Sequence, residues 1–98
     1  MKDLAYVKSV IAKHKKELGT MYSVKSIGVF GSVVRGEQKM GSDIDILVEF
    51  NKPVGFFKFL ECEDYLGKKL GAKVDMVSKK ALKPRIGKQV MKEVVIVA

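Results

Sequence analysis

The sequence predicts an α/β (α+β) fold: a small mixed β-sheet with helices packed on one face. Three observations carry that reading. Segments with apolar residues every three or four positions alternate with short apolar, β-branched runs, the pattern of helices interleaved with strands. The connection between the runs ending at Phe30 and beginning at Asp43 is too irregular for a full crossover helix. If the residues bounding it share one site, the end of the first strand lies beside the start of the second, and the two are antiparallel. Finally, 98 residues allow one modest core and one domain, spanning 1–98.

The elements follow in order. Leu4, Val7, Ile11, His14 and Leu18 share one helical face, so residues 2–18 read as an amphipathic helix with Gly19 as its stop. Val24 to Phe30 reads as the first strand. Ser32 can cap a brief helical turn that Gly36 ends. The second strand runs from about Asp43 to Phe50, where Asn51-Lys52-Pro53 breaks it. Phe56, Phe59, Cys62, Leu66 and Leu70 form the apolar stripe of a further helix. Lys73 to Val77 is a short third strand, Pro84 starts or flanks a last helix through about Glu93, and Val94 to Val97 can add an edge strand.

Composition narrows the function classes. No apolar stretch approaches the roughly 18 residues that span a bilayer, and no secretory signal is visible, so no membrane role and a cytoplasmic location are expected. Cys62 is alone, which excludes an internal disulfide and fits a reducing compartment. The net charge of +8 is unevenly spread: +4 over residues 1–26, −3 over 27–65 and +7 over 66–98. An acidic centre between basic flanks suits a metal site that attracts a triphosphate. Nucleic-acid binding is disfavoured, because the basic residues are nearly all Lys, with Arg only at 35 and 85. His14 reads as a rim or interface histidine and Cys62 as core, while Phe56, Phe57 and Phe59 read as packing their helix, the leftover Phe57 with an oligomer contact or an adenine edge as alternatives.

The chemistry concentrates in residues 31–45, Gly-Ser-Val-Val-Arg-Gly-Glu-Gln-Lys-Met-Gly-Ser-Asp-Ile-Asp. A strand sends alternate side chains to one face, so Asp43 and Asp45 project together while Ile44, Ile46 and Val48 face the core. Two adjacent carboxylates are costly to ionise unless a cation sits between them. Hard divalent ions such as Mg²⁺ take such oxygen ligands together with substrate phosphates and water. Asp75, inside the apolar run Val74–Val77, is the natural third ligand, and three carboxylates would form a two-metal site for displacement at phosphorus. The Gly31-Ser32 turn offers backbone N–H groups and a hydroxyl to phosphate. Arg35 and Ser42 lie on the same connection and can add phosphate contacts; Lys39 reads equally as loop surface.

Gly31-Ser32, ten intervening residues and Asp43-x-Asp45 resemble the signature of the DNA polymerase β-like nucleotidyltransferase superfamily. The longer string, Gly-Ser-x-x-Arg-Gly followed by Ser-Asp-Ile-Asp-Ile-Leu-Val-Glu-Phe, is similar to its minimal nucleotidyltransferase (MNT) group. Val74-Asp75 and Leu82-Lys83-Pro84 extend the similarity over most of the chain, while Val34 departs from the alanine common in the group. The resemblance implies a polymerase β-like palm. It implies two Mg²⁺ ions on Asp43, Asp45 and Asp75, and ATP or another nucleoside triphosphate with its β- and γ-phosphates on Gly31 and Ser32. It also implies a HEPN-family RNase toxin as partner, the chain acting as antitoxin by transferring AMP to a hydroxyl of that protein. Stoichiometric neutralisation without catalysis and transfer to a small molecule are the alternatives. Whether the first helix serves self-association or partner docking stays open.

Overall fold

The computed structural model describes residues 2–39 and 41–98; Met40, within the connecting string, lies outside them. Its four-stranded sheet has the order β3-β2-β1-β4. β1 (Val24–Phe30) and β2 (Ile44–Phe50) pair antiparallel, and β3 (Val74–Ser78) joins β2 in parallel. β4 (Val95–Ile96) closes the other edge antiparallel to β1. The mixed sheet and the antiparallel β1–β2 pair are as the sequence predicts.

The core sits between one sheet face and three helices, α1 (Leu4–Lys13), α2 (Lys15–Tyr22) and α4 (Phe56–Leu70). Val7, Ile11 and Leu18 from the first two and Cys62, Leu66 and Leu70 from α4 bury against Ile27 and Val29 of β1, Ile44, Ile46 and Val48 of β2, and Val74 and Met76 of β3. The period-two alternation of β2 is therefore realised as expected. α4 is the crossover that lets β2 and β3 run parallel. A short helical turn, α3 (Ser32–Arg35), follows β1; after β3 a 3₁₀ turn at Lys79–Ala81 leads into α5 (Pro84–Glu93), which returns the chain to β4.

Several local expectations need correction. The first helix is two: it breaks at His14 (φ −105°, ψ 10°), and the second piece runs through Gly19 to Tyr22. Burial of Leu18 and Tyr22 outweighs the roughly 1 kcal/mol that a helical glycine costs. The stop is instead Ser23, in the left-handed region at φ 59°. Ser32 does not cap α3; Gly31 occupies the cap position, while Gly36 ends the turn as expected. Phe56 and Phe57 do not pack inward: they open the first turn of α4 and are 70% and 78% exposed, their ring centroids 5.9 Å apart. His14 meets the ring of Tyr65 edge-on at 6.0 Å, and Cys62 is fully buried, its thiol pushed up to about 12 by desolvation. No helix among the described residues is long and apolar enough to cross a membrane.

Candidate active site

Strand register assembles the acidic residues. Asp45 is the second residue of β2; its Cα partner is Phe30 on one side and Asp75 on the other. Asp43 lies two residues before Asp45, and the N–H of Ile44 between them donates to the carbonyl of Lys73 at 2.9 Å, tying the starts of β2 and β3 together. The three carboxylates therefore belong to one end and one face of the sheet, opposite the core-facing Ile44 and Ile46. Asp75 is exposed on the edge strand, so burial does not single it out as the run Val74–Val77 suggests. Its register beside Asp45 does.

Electrostatics mark Asp45. Its partial burial, then the carboxylates of Asp75 and Asp43, raise its proton affinity; the Arg35 guanidinium acts in the opposite direction and Glu93 adds a further upward push. Asp43 has a lysine near it, with Lys73 Nζ 4.0 Å from Oδ2, an exposed pair worth little by itself. Among the described residues, no three His, Cys, Asp or Glu side chains stand close enough to hold a metal ion unaided. The donor set still suits Mg²⁺, which takes one or two carboxylates and completes its shell with phosphate oxygens and water. The crowding that helps raise the proton affinity of Asp45 is what such a cation would relieve.

Gly31 is required by both conformation and space. Its φ is +78°, and a Cβ there would collide with the Asp45 carboxylate, whose Cγ would lie 2.9 Å away. The glycine lets that carboxylate lie directly over the turn. From this turn the Gly31 carbonyl accepts from the N–H groups of Val34 and Arg35 at 3.1 and 3.2 Å, starting α3. Arg35 reaches back: its Nε donates to Glu37 at 2.6 Å, and one guanidinium nitrogen donates to both oxygens of Glu93 at 3.1 and 3.0 Å. Ser42 is turned to local structure, its Oγ accepting the Lys39 N–H at 3.0 Å, and the Ser32 hydroxyl makes no hydrogen bond among the described residues.

Glu93 is the residue that the sequence reading missed. It ends α5 and accepts the Gly31 N–H at 2.9 Å, sixty-two residues away. The available signal was an acid in the last turn of a helix otherwise rich in Lys and Arg, where the helix dipole disfavours negative charge. A cavity of about 530 Å³ opens elsewhere, between Phe50, Pro53, Phe56, Phe59 and Lys79. It adjoins Glu49, four residues along β2 from Asp45 and so about 13 Å distant at strand rise. The acidic cluster itself stands on an open sheet edge.

The comparisons with known proteins agree with this geometry. The nucleotidyltransferase domain family matches residues 11–97. The chain belongs to that family. Relatives of this nucleotidyltransferase are similar over nearly their full lengths. It is 50% identical over 97 residues to the protein adenylyltransferase MntA of Thermococcus cleftensis, covering 99% of this chain and 98% of that one. A Methanocaldococcus jannaschii protein assigned as a protein adenylyltransferase is 52% identical over 82 residues, covering 84% of this chain and 95% of its own. Among solved structures, one described as a minimal nucleotidyltransferase superposes with a TM-score of 0.74 at 32% identity, covering 91% and 93% of the two chains. A chain from a toxin–antitoxin complex containing MntA gives 0.72 at 26% identity, covering 89% of this chain and 70% of that one. The resemblance carried by the Gly31–Asp45 string is borne out: this is a nucleotidyltransferase of the minimal, MntA-like group.

Proposed function

We propose that this nucleotidyltransferase moves AMP from ATP to a hydroxyl of a partner protein in the cytoplasm, and that the partner is a HEPN-family RNase toxin that it neutralises as antitoxin. The observation that carries the reading is the Asp45–Asp75 register beside Gly31, which sets an acidic cluster directly against the glycine turn. The name of the Thermococcus relative supports protein adenylylation, and the toxin–antitoxin complex of the MntA-containing structure supports the partner class. The open sheet edge favours an acceptor presented by another macromolecule over a small molecule enclosed in a pocket, since Asp75 is exposed and Asp43 is 39% exposed.

In this reading, Asp43, Asp45 and Asp75 hold Mg²⁺, which when bound supplies charge neutralisation for the triphosphate and polarises the attacking oxygen. The Gly31 N–H, the Ser32 hydroxyl and Arg35 receive the β- and γ-phosphates and orient the α-phosphorus toward Asp75. Ser42 keeps the connection closed through Lys39, leaving its own O–H free to donate to phosphate. The acceptor oxygen forms a bond to the α-phosphorus, the bond from that phosphorus to the β-bridging oxygen breaks, pyrophosphate departs, and the hydroxyl proton passes to solvent. Asp45 must be ionised for this, so its raised proton affinity implies activity that falls as the solution becomes acidic.

The test is transfer itself. Purified protein with Mg²⁺ and α-labelled ATP is expected to label the HEPN-family partner, and Asp43→Asn combined with Asp45→Asn to reduce labelling by at least about a thousandfold. Undiminished labelling by the double variant would end the catalytic assignment. Full neutralisation of the toxin in cells by the same variant would establish instead that stoichiometric binding suffices.

A further inference from the structure

The Glu93 carboxylate lies where an anion belongs. It is held at 2.9 Å by the Gly31 N–H and at 3.1 and 3.0 Å by one nitrogen of Arg35. A carboxylate accepting from a backbone N–H and a guanidinium reproduces the donor pattern that a phosphate oxygen would use. Its position is otherwise unfavourable. Glu93 is the only acid of α5, at the helix end where the dipole disfavours negative charge, and near enough to Asp45 to raise that residue's proton affinity. The two donors outweigh those penalties.

We infer that Glu93 is a built-in competitor for the nucleotide, seated on the Gly31 and Arg35 donors and displaced when the triphosphate binds. The inference rests on the proposed reading that these donors receive phosphate. One N–H cannot serve two anions, and two anions on one guanidinium nitrogen repel. Displacement needs only a side-chain swing. The backbone beside Glu93 is pinned, since the Val94 N–H donates to Val90 at 2.9 Å and Val94 packs over Gly28. The Glu93 side chain is 26% exposed, so it has a route to water. Glu93 thereby sets nucleotide affinity without touching the reacting atoms.

Calorimetry with AMP-PNP and Mg²⁺ tests this on the whole chain. Glu93→Gln removes the charge and keeps the shape, and is expected to bind AMP-PNP about tenfold more tightly than wild type, the scale of one charge-assisted hydrogen bond no longer exchanged. Equal or weaker binding by the variant, with wild type still binding, overturns the inference and makes Glu93 a brace for Arg35. Failure of the wild type to bind AMP-PNP overturns the phosphate reading itself, and the inference with it. A second measurement needs no variant. The ¹³C resonance of the Glu93 carboxylate in wild-type protein is expected to move on saturation with AMP-PNP, and an unmoved resonance in the bound protein likewise overturns displacement.

Discussion

Asp45 holds opposing demands in one side chain: burial and two neighbouring carboxylates favour its protonated form, while the proposed chemistry needs it ionised. An acid whose proton affinity is raised in the folded state makes folding less favourable as pH rises. The penalty begins near the ordinary carboxylate value of 3.8 and is fully present above the raised folded value. Asp45→Asn is therefore expected to raise the melting temperature of the metal-free protein at pH 7, the advantage to shrink as the pH falls through the raised folded value, and to vanish below about 3.8. The gain should be at most a few degrees, because water screens a partly buried carboxylate. Thermal scans at the two pH values check it; an equal gain at both would remove the electrostatic explanation. At this scale the sequence is highly legible. The Gly31-Ser32 and Asp43-x-Asp45 positions follow from turn chemistry and the two-residue strand period. Glu93 was not legible, since its partners are named by packing and not by spacing.

At the scale of elements, β4 is held by a close approach across the sheet. A Cβ on Gly28 would stand 2.5 Å from Val94 Cγ2 and 3.3 Å from the Val95 carbonyl, so the strand lies against β1 because position 28 has no side chain. Gly28→Ala is expected to push β4 outward at a cost of about 1–3 kcal/mol, read as a lower urea midpoint with an unchanged slope. A midpoint equal to wild type would show that β4 yields freely. The elements located correctly, β2 and α5 above all, have firm boundaries: Pro53 follows the end of β2 and Pro84 opens α5. The break at His14 and the run through Gly19 were not legible, because burial of Leu18 and Tyr22 overrides local propensity there. The exposure of Phe56 was hidden similarly: helical spacing reveals a face, but not how far along the helix that face is covered.

On the scale of the molecule, a strongly basic protein carries an acidic cluster at one sheet end. The net charge is +8, yet Asp43, Asp45 and Asp75 share one edge, with Lys73 beside Asp43 and Arg35 and Glu93 near enough to act on Asp45. In the proposed reading the basic surface would draw in an anionic triphosphate, and the acidic cluster would hold it through the cation. Mg²⁺ with AMP-PNP is expected to raise the melting temperature of the wild type, since a ligand present at about 100 times its Kd adds about 2.7 kcal/mol. Asp43→Asn with Asp45→Asn should lose most of that gain, as a fluorescence melt would register. The same gain in the double variant would place the ligand elsewhere on the surface.

By itself the sequence determined what is local: which runs are helix and strand, the spacing that sets Asp43 and Asp45 on one face, and the string that joins the chain to the minimal nucleotidyltransferases. Tertiary structure alone decided what depends on distant partners. Asp75 stands beside Asp45 because α4 carries the chain over to a parallel neighbour, and Glu93 reaches Gly31 because β4 folds back against β1. Backbone periodicity is written every two to four residues, whereas the register of strands far apart in sequence is chosen by the packing of the whole core.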